Sequence, residues 1–331
     1  MRTVAAIMSA SLIIFISTAN ILANDREIKP PRDYAPPIFQ SSRELDEVLR
    51  SSINDVIAGR KDGPFNPGEI AATLIDLRHP SVIRTAAVDG ERQLYPASVV
   101  KMFYLAALER QLADGKVTMT PELQRGLRDM IVDSSNEATQ YILDVLTDTS
   151  SGAELPSASF VKWQYKRNRV NRFYSAMGFT NINVNQKTFC EDAYGIEQQS
   201  RGYKGQNRNM LTTDATARLL AEIVSGRMNT PERTKAMMDL MDRNWSKPSE
   251  DADSQAAGFT GKALKDLKID GAKLWSKAGW TSRSRHDAAY VETPDGLRFV
   301  LVIFTENHAN ERDFIPDVAG RVIQRLRRAN S

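Results

Sequence analysis

The segments with strand character lie near the two ends of the chain, and this placement constrains the fold more than any other feature. Five segments have the short apolar runs of strands: Ile70 to Leu77, Ser81 to Val88, Lys273 to Trp280, His286 to Glu292 and Leu297 to Thr305. Between Lys101 and Asn244, apolar residues recur mostly at helical spacing. Strands on both sides of a helical block predict an α+β fold.

The first and last helices complete this predicted architecture. Ser41 and Glu44 form a capping box before an apolar stripe, which predicts a helix from about Ser42 to Ala58. A C-terminal helix is predicted from about Pro316 to Ala329. We expect one antiparallel sheet, built from the strands of both ends and covered by these two helices. The predicted domain spans residues 41–331, with an α/β part over about 41–96 and 267–331, a helical lobe over about 97–266, and a cleft between them.

The first 40 residues have the composition of an export signal followed by a tether. Met1-Arg2-Thr3 precedes an apolar run, and small residues offer cleavage sites at Ala19 or Ala23. This pattern predicts a signal peptide over residues 1–23 and a secreted or periplasmic protein, with an uncleaved membrane anchor as the alternative. Residues 24–40 contain two Pro-Pro pairs, which predict an extended Pro-rich tether outside the core.

Charge and composition narrow the kinds of site that the chain can hold. The net charge of +3 is spread along the sequence, so we expect no nucleic-acid partner. The three histidines are dispersed, which predicts no metal site, and we expect no cofactor and a monomeric protein. A long basic helix is predicted from Ser157 to Met177. Its cationic side chains are expected on a solvated outer face, and they are Lys166, Arg167, Arg169 and Arg172.

The segment from Tyr95 to Lys101 indicates nucleophilic chemistry at the start of an apolar helix. Pro96 precedes the helical spacing, so Ser98 would lie in the first turn with Lys101 on the same face. A serine hydroxyl is a poor nucleophile near neutral pH, but a desolvated lysine beside it can accept its proton. The backbone N–H groups at a helix start can stabilise an oxyanion.

Two further motifs follow Ser98-x-x-Lys101 in order: Ser134-Ser135-Asn136 and Lys277-Ala278-Gly279. The set resembles the Ser-x-x-Lys, Ser-x-Asn and Lys-Thr-Gly motifs of serine β-lactamases and penicillin-binding proteins. The resemblance is closest to the class A β-lactamase family and covers nearly all of the chain after the signal. It implies the β-lactamase/transpeptidase-like fold, with the active site in the cleft.

The resemblance also implies a role for each matching residue. The catalytic residues would be Ser98 as nucleophile, Lys101 as its proton acceptor and Ser134 as proton donor to the departing nitrogen. The substrate-binding residues would be Asn136, Lys277, Gly279, Trp280 and Arg285. Of these, Lys277 and Arg285 would face a substrate carboxylate. The backbone N–H groups of Ser98 and Trp280 would form the oxyanion hole.

The sequence departs from the family pattern at several positions, and some of them affect hydrolysis of the acyl-enzyme. Ser135 replaces an aspartate, and Ala278 replaces a hydroxyl residue that binds the substrate carboxylate. Class A enzymes carry Glu-x-x-x-Asn before the Thr-Thr of the next helix, and that glutamate activates the deacylating water. Glu197 has nearly the right position but is followed at the fourth residue by Arg201, and Glu191 is followed there by a glycine. Glu197 is thus a possible deacylation base, and a solvated loop carboxylate is the alternative.

These residues predict an exported serine hydrolase that opens β-lactam rings through a Ser98 acyl-enzyme. One alternative is a D-alanyl-D-alanine peptidase, or a related amidase or esterase, acting on cell-wall peptide. The other is a non-catalytic penicillin-recognising protein, which would not need Ser98, Lys101, Ser134 and Lys277 together.

Overall fold

The computed structural model describes residues 26–60, 65–66, 68–79, 81–189 and 192–328. The predicted signal peptide, with both of its cleavage sites, and Glu191 lie outside the described residues. No helix in the described ranges is long and apolar enough to cross a membrane.

Strands from both ends of the chain join in one sheet, as the sequence predicts. The strands are β1 (Phe39–Ser41), β2 (Ile70–Asp76), β3 (Ile83–Val88), β4 (Lys273–Trp280), β5 (Ser284–Glu292) and β6 (Arg298–Glu306), in the spatial order β1-β3-β2-β6-β5-β4. The N-terminal and C-terminal groups meet where β2 pairs antiparallel with β6, and Ala72 lies opposite Ile303. The strand order leaves β4 at one edge of the sheet.

The helices number α1 to α11 over the described ranges. They are α1 (Arg43–Ala58), α2 (Val100–Ala113), α3 (Pro121–Ile131), α4 (Asn136–Thr147), α5 (Ser157–Arg167), α6 (Arg169–Ala176), α7 (Gly195–Arg201), α8 (Thr213–Val224), α9 (Pro231–Met241), α10 (Thr260–Asp266) and α11 (Phe314–Arg328). A short 3-10 helix, Ala97–Val99, leads directly into α2. The predicted α+β class is therefore confirmed.

The sheet separates two apolar cores because its side chains alternate between its faces. Ala72 and Leu74 pack with α1, α10 and α11 on one face. Ala71 and Ile75 belong to the other cluster, which includes all of the buried apolar side chains of α2. Helix α2 is buried almost all round, so the 3-10 helix that carries Ser98 leads into a well-packed helix.

The structure corrects the predicted tether. Ile28 is buried in the core, and the Tyr34 hydroxyl donates to both oxygens of Glu222 at 2.8–2.9 Å. Phe39–Ser41 forms β1, which pairs parallel with β3. Burial and the Glu222 carboxylate raise the pKa of Tyr34 to about 12, as expected for a hydroxyl held in a packed site. The Pro-rich segment turns at Asp33, where φ is +62°, and the part from Arg26 onward packs on the domain.

The helices of three further segments differ from what the sequence pattern indicates. The predicted basic helix is divided at Asn168 into α5 and α6, and the side chains of Arg167 and Arg169 are buried rather than solvated. Residues 246–266, a mostly polar stretch in the sequence, contain α10. Likewise, α7 interrupts the segment from Thr180 to Leu211, which has no helical period in the sequence.

Candidate active site

Ser98 lies half-buried in the 3-10 helix that precedes α2, beside the end of β4. The residue before it, Ala97, has a φ of +46°, a left-handed conformation that costs a non-glycine residue energy and often marks functional sites. Gly279 permits the close approach of the strand: a Cβ there would lie 2.6 Å from the backbone nitrogen of Ser98. The packing therefore requires a glycine at 279 and brings β4 against the nucleophile.

Lys101 projects from the first turn of α2 into the space between α2 and the start of α4. Its Nζ donates to the Ser134 carbonyl at 2.5 Å and to Asn136 Oδ1 at 2.9 Å, and it lies 3.3 Å from Ser134 Oγ. The side chain is completely buried. Three predicted site residues therefore meet at one desolvated amine.

Ser134 occupies a strained turn immediately before α4. Its φ of +59° is left-handed, and the next residue, Ser135, caps α4 by accepting from the backbone N–H of Ala138 at 3.0 Å. The cap explains how serine can stand in place of the family aspartate: both residue types have an oxygen that accepts from the first helical turn. The turn directs the Ser134 hydroxyl towards Lys101 and Lys277.

Lys277 reaches the same hydroxyl from β4. Its Nζ lies 3.0 Å from Ser134 Oγ and donates to the Ala278 carbonyl at 2.8 Å. Burial, followed by the nearby charges of Lys101 and Arg243, holds the pKa of Lys277 well below its usual value. Ser134 thus lies between two buried amines, which can supply or accept protons at its oxygen.

Gln255 is a residue of this cluster that the sequence did not reveal. Its Oε1 accepts from Lys277 Nζ at 2.5 Å and from the backbone N–H of Ala278 at 3.3 Å. It comes from the long segment between α9 and α10, where no periodicity or motif marks one polar residue above another. No sequence signal could have selected it.

The structure places the two remaining substrate-binding candidates around the same segment. Arg285 is fully buried, and its guanidinium donates to Asp253 Oδ1 at 2.6 Å and to the Gly258 carbonyl at 3.2 Å while it stacks 4.0 Å over the Phe259 ring. Trp280 ends β4, with its side chain 39% exposed and its ring 5.9 Å from Phe259. Arg285 therefore holds the chain here, and its predicted role toward a substrate carboxylate stays a prediction.

Glu197 lies in a separate buried ion-pair cluster. Arg167 donates to its two oxygens at 2.7 and 2.8 Å, Ser151 Oγ donates at 2.8 Å, and Lys187 Nζ lies 3.5 Å away. Burial raises the pKa of Glu197, but the contacts with Arg167 outweigh it, so the net pKa lies below the usual value. These contacts favour a structural role, and its predicted role as deacylation base stays a prediction.

His286 binds the backbone of the segment that leads to Ser98, and it was not proposed as a site residue. Its Nδ1 accepts from the backbone N–H of Thr305 at 3.2 Å, so its Nε2 donates to the Tyr95 carbonyl at 2.9 Å. Burial lowers its pKa to about 4, which keeps the ring neutral near pH 7. It belongs to the strand segment that resembles the family, and this was the available signal. Among the residues that the structure describes, no group of three or more His, Cys, Asp or Glu could hold a metal ion.

This arrangement can perform acyl transfer. The predicted nucleophile, Ser98, lies at a helix start that offers backbone N–H groups, and the buried amine of Lys101 is one turn away. The Ser134 hydroxyl, between two amines, can deliver a proton to a leaving group. Both lysines are fully buried, and burial lowers the pKa of Lys277 well below its usual value.

Comparison with known proteins points to the same family as the motifs do. A sequence model described as the β-lactamase enzyme family matches residues 48–326. None of the curated proteins matches the sequence.

Solved structures are similar over most of their length. A β-lactamase from Sphaerobacter thermophilus is 18% identical, with a TM-score of 0.59, over 84% of this chain and 96% of that one. PBP-A is 18% identical, with a TM-score of 0.56, over 89% and 100%. The TLA-3 extended-spectrum β-lactamase is 14% identical, with a TM-score of 0.59, over 84% and 99%. At these identities the likeness shows the fold.

Proposed function

The chain belongs to the β-lactamase enzyme family as a β-lactamase-like serine hydrolase, and we propose that it is an exported, class A-like enzyme that opens β-lactam rings through an ester on Ser98. The observation that carries the proposal is the meeting of Lys101 and Lys277 at the Ser134 hydroxyl, beside the helix start that bears Ser98. The composition of residues 1–23 supports export.

The proposed reaction uses these groups in two stages. Lys101 takes the proton of Ser98, whose Oγ attacks the lactam carbonyl, and the backbone N–H groups of Ser98 and Trp280 stabilise the oxyanion. The carbon–nitrogen bond then breaks, and the Ser134 hydroxyl gives its proton to the nitrogen and is reprotonated from the neighbouring amines. Water finally cleaves the Ser98 ester, which releases the ring-opened acid and restores the hydroxyl.

The test follows one reaction by two readouts. The purified protein is mixed with penicillin G, and intact mass and ring-opening absorbance are recorded together. We expect a Ser98 adduct and repeated turnover, both absent in Ser98→Ala. Ser157→Ala, on an exposed position of α5, is the matched control and should retain both. Full turnover in Ser98→Ala would refute the proposal, and so would the absence of any adduct and any turnover in the unaltered protein.

A second candidate, a peptidase, amidase or esterase that acts on cell-wall peptide, is favoured by one specific observation. The Glu197 carboxylate already accepts from Arg167 and Ser151, so it is poorly placed to activate water. In that case penicillin G would give one stoichiometric burst and a long-lived adduct instead of turnover. Release of D-alanine from a D-alanyl-D-alanine peptide would then identify the peptidase.

A further inference from the structure

Gln255 accepts hydrogen bonds from two donors of β4. Its Oε1 lies 2.5 Å from Lys277 Nζ and 3.3 Å from the backbone nitrogen of Ala278, so two donors converge on one oxygen. The opposite end of the amide is also bound, because Nε2 donates to the carbonyls of Val132 and Ile131 at 2.9 and 3.3 Å. The side chain thus bridges β4 and the end of α3.

The segment that carries Gln255 is anchored on both sides of it. Asp253 accepts from Arg285 at 2.6 Å and from Arg312 at 3.0 Å. Gly258 closes the turn tightly, since a Cβ there would lie 2.3 Å from the Ala252 carbonyl oxygen. The ion pairs of Asp253 and the tight turn at Gly258 therefore position Gln255 against Lys277.

The same segment engages both cations that the resemblance assigns to a substrate carboxylate. Gln255 accepts from Lys277, and Asp253 accepts from Arg285. The hydroxyl that would assist them is absent, because residue 278 is alanine. An entering carboxylate must displace the Gln255 amide from Lys277, and the Arg285 guanidinium is already paired with Asp253. An uncharged group needs neither Lys277 nor Arg285 as a donor.

We infer that Gln255 determines the specificity of this site by competing with a substrate carboxylate for Lys277 and the Ala278 N–H. This inference rests on the proposed function. The preferred substrates are acyl compounds whose group on this side of the scissile bond is uncharged, such as esters or amides of the corresponding acids.

The test compares penicillin G with its methyl ester, which differ only in the carboxylate. The rate constant for Ser98 acylation is measured by quenched reaction and intact mass for the unaltered protein, Gln255→Ala and Gln255→Glu. We expect Gln255→Ala to raise the rate with penicillin G about tenfold and to leave the rate with the ester within about twofold. Gln255→Glu places a fixed carboxylate on Lys277, so it should lower the rate with penicillin G while sparing the ester. Gln124→Ala, on the exposed side of α3, should change neither rate.

The two variants act in opposite directions, so poor folding of either cannot imitate the expected result. Equal effects on acid and ester, or no effect in either variant, would overturn the inference and leave the proposed function intact. Failure of both compounds to acylate Ser98 in every variant would overturn the proposed function and the inference with it.

Discussion

Two polar clusters contain similar residues but serve different purposes: one lies between the helical lobe and β4, and the other lies within the helical lobe. Around Ser134, Lys101 and Lys277 donate to hydroxyl, carbonyl and amide oxygens. Around Glu197, the cations Arg167 and Lys187 lie within 3.5 Å of its carboxylate. The charged side chains of both clusters are buried.

The difference lies in how burial is compensated. A buried charge with an opposite charge beside it stays ionised and holds the chain, as at Glu197, whose net pKa is lowered by Arg167. A buried amine that donates to neutral oxygens is driven towards its uncharged form, as at Lys277. The first condition suits a structural bond, and the second suits proton transfer. Replacing cations of each cluster with methionine, which is long, apolar and flexible, tests this contrast.

Lys101→Met should have the largest effect. Removing the amine one turn from Ser98 leaves the hydroxyl without its proton acceptor, so we expect the acylation rate to fall by about 10³-fold or more. The fold should remain, because an apolar side chain suits this buried position. Acylation is measured by intact mass with penicillin G, and folding by circular dichroism. A loss smaller than tenfold would show that another group takes the Ser98 proton.

Arg167→Met should be the most damaging of these changes to stability. It leaves the buried Glu197 carboxylate with the Ser151 hydroxyl at 2.8 Å and Lys187 Nζ at 3.5 Å, and breaking a buried pair costs about 3–5 kcal/mol of unfolding free energy. Lys166→Met is the matched control, because the neighbouring Lys166 pairs with Asp148 at the surface and should cost less than about 1 kcal/mol. Both are measured by urea unfolding. Equal losses would mean that the Glu197 cluster does not hold the fold.

Lys277→Met should have the opposite sign from Arg167→Met. It removes a desolvated amine, so we expect the unfolding free energy at pH 7 to rise by about 1–3 kcal/mol while acylation falls. The folded pKa of Lys277 lies well below 10.5, so the unfolded chain binds this proton more readily than the folded protein does. In the unaltered protein the resulting loss of stability therefore grows as the pH falls from about 10 towards the folded pKa.

The check is urea unfolding of both proteins at pH 7 and pH 10. The stability advantage of Lys277→Met should shrink at the higher pH, where the unfolded chain loses its proton too. An advantage that stays constant between these pH values would show that Lys277 remains charged in the folded protein.

The sequence allowed most of the fold and the core of the site to be predicted because those signals are local. Helical spacing placed Lys101 one turn after Ser98, and strand periodicity placed Lys277 on β4. Gln255 could not be predicted, since its partners Lys277 and Ile131 are 22 and 124 residues away and the segment has no period.

Long-range pairing explains the other differences between the predicted and the observed structure. Arg167 lies on a helix whose composition indicates a solvated face, and only the return of the chain 30 residues later brings Glu197 to it. The Pro-rich segment was predicted to be extended, and Phe39–Ser41 is, but composition cannot tell a free extended chain from one that pairs with a sheet edge. In both cases the burial depends on the tertiary fold.

Glu197→Gln should have the smallest effect on catalysis, and it tests whether the Glu197 cluster is only structural. If Arg167 and Ser151 hold Glu197 for structural reasons, its neutralisation should weaken the cluster but leave the deacylation rate of the penicilloyl adduct within about twofold. The adduct lifetime is followed by intact mass at a temperature where the variant is folded. Glu154→Gln, an exposed glutamate just before α5, is the control. If the adduct accumulated only in Glu197→Gln, the carboxylate would be the base that activates water, and the ion pair with Arg167 would be a means of orienting it.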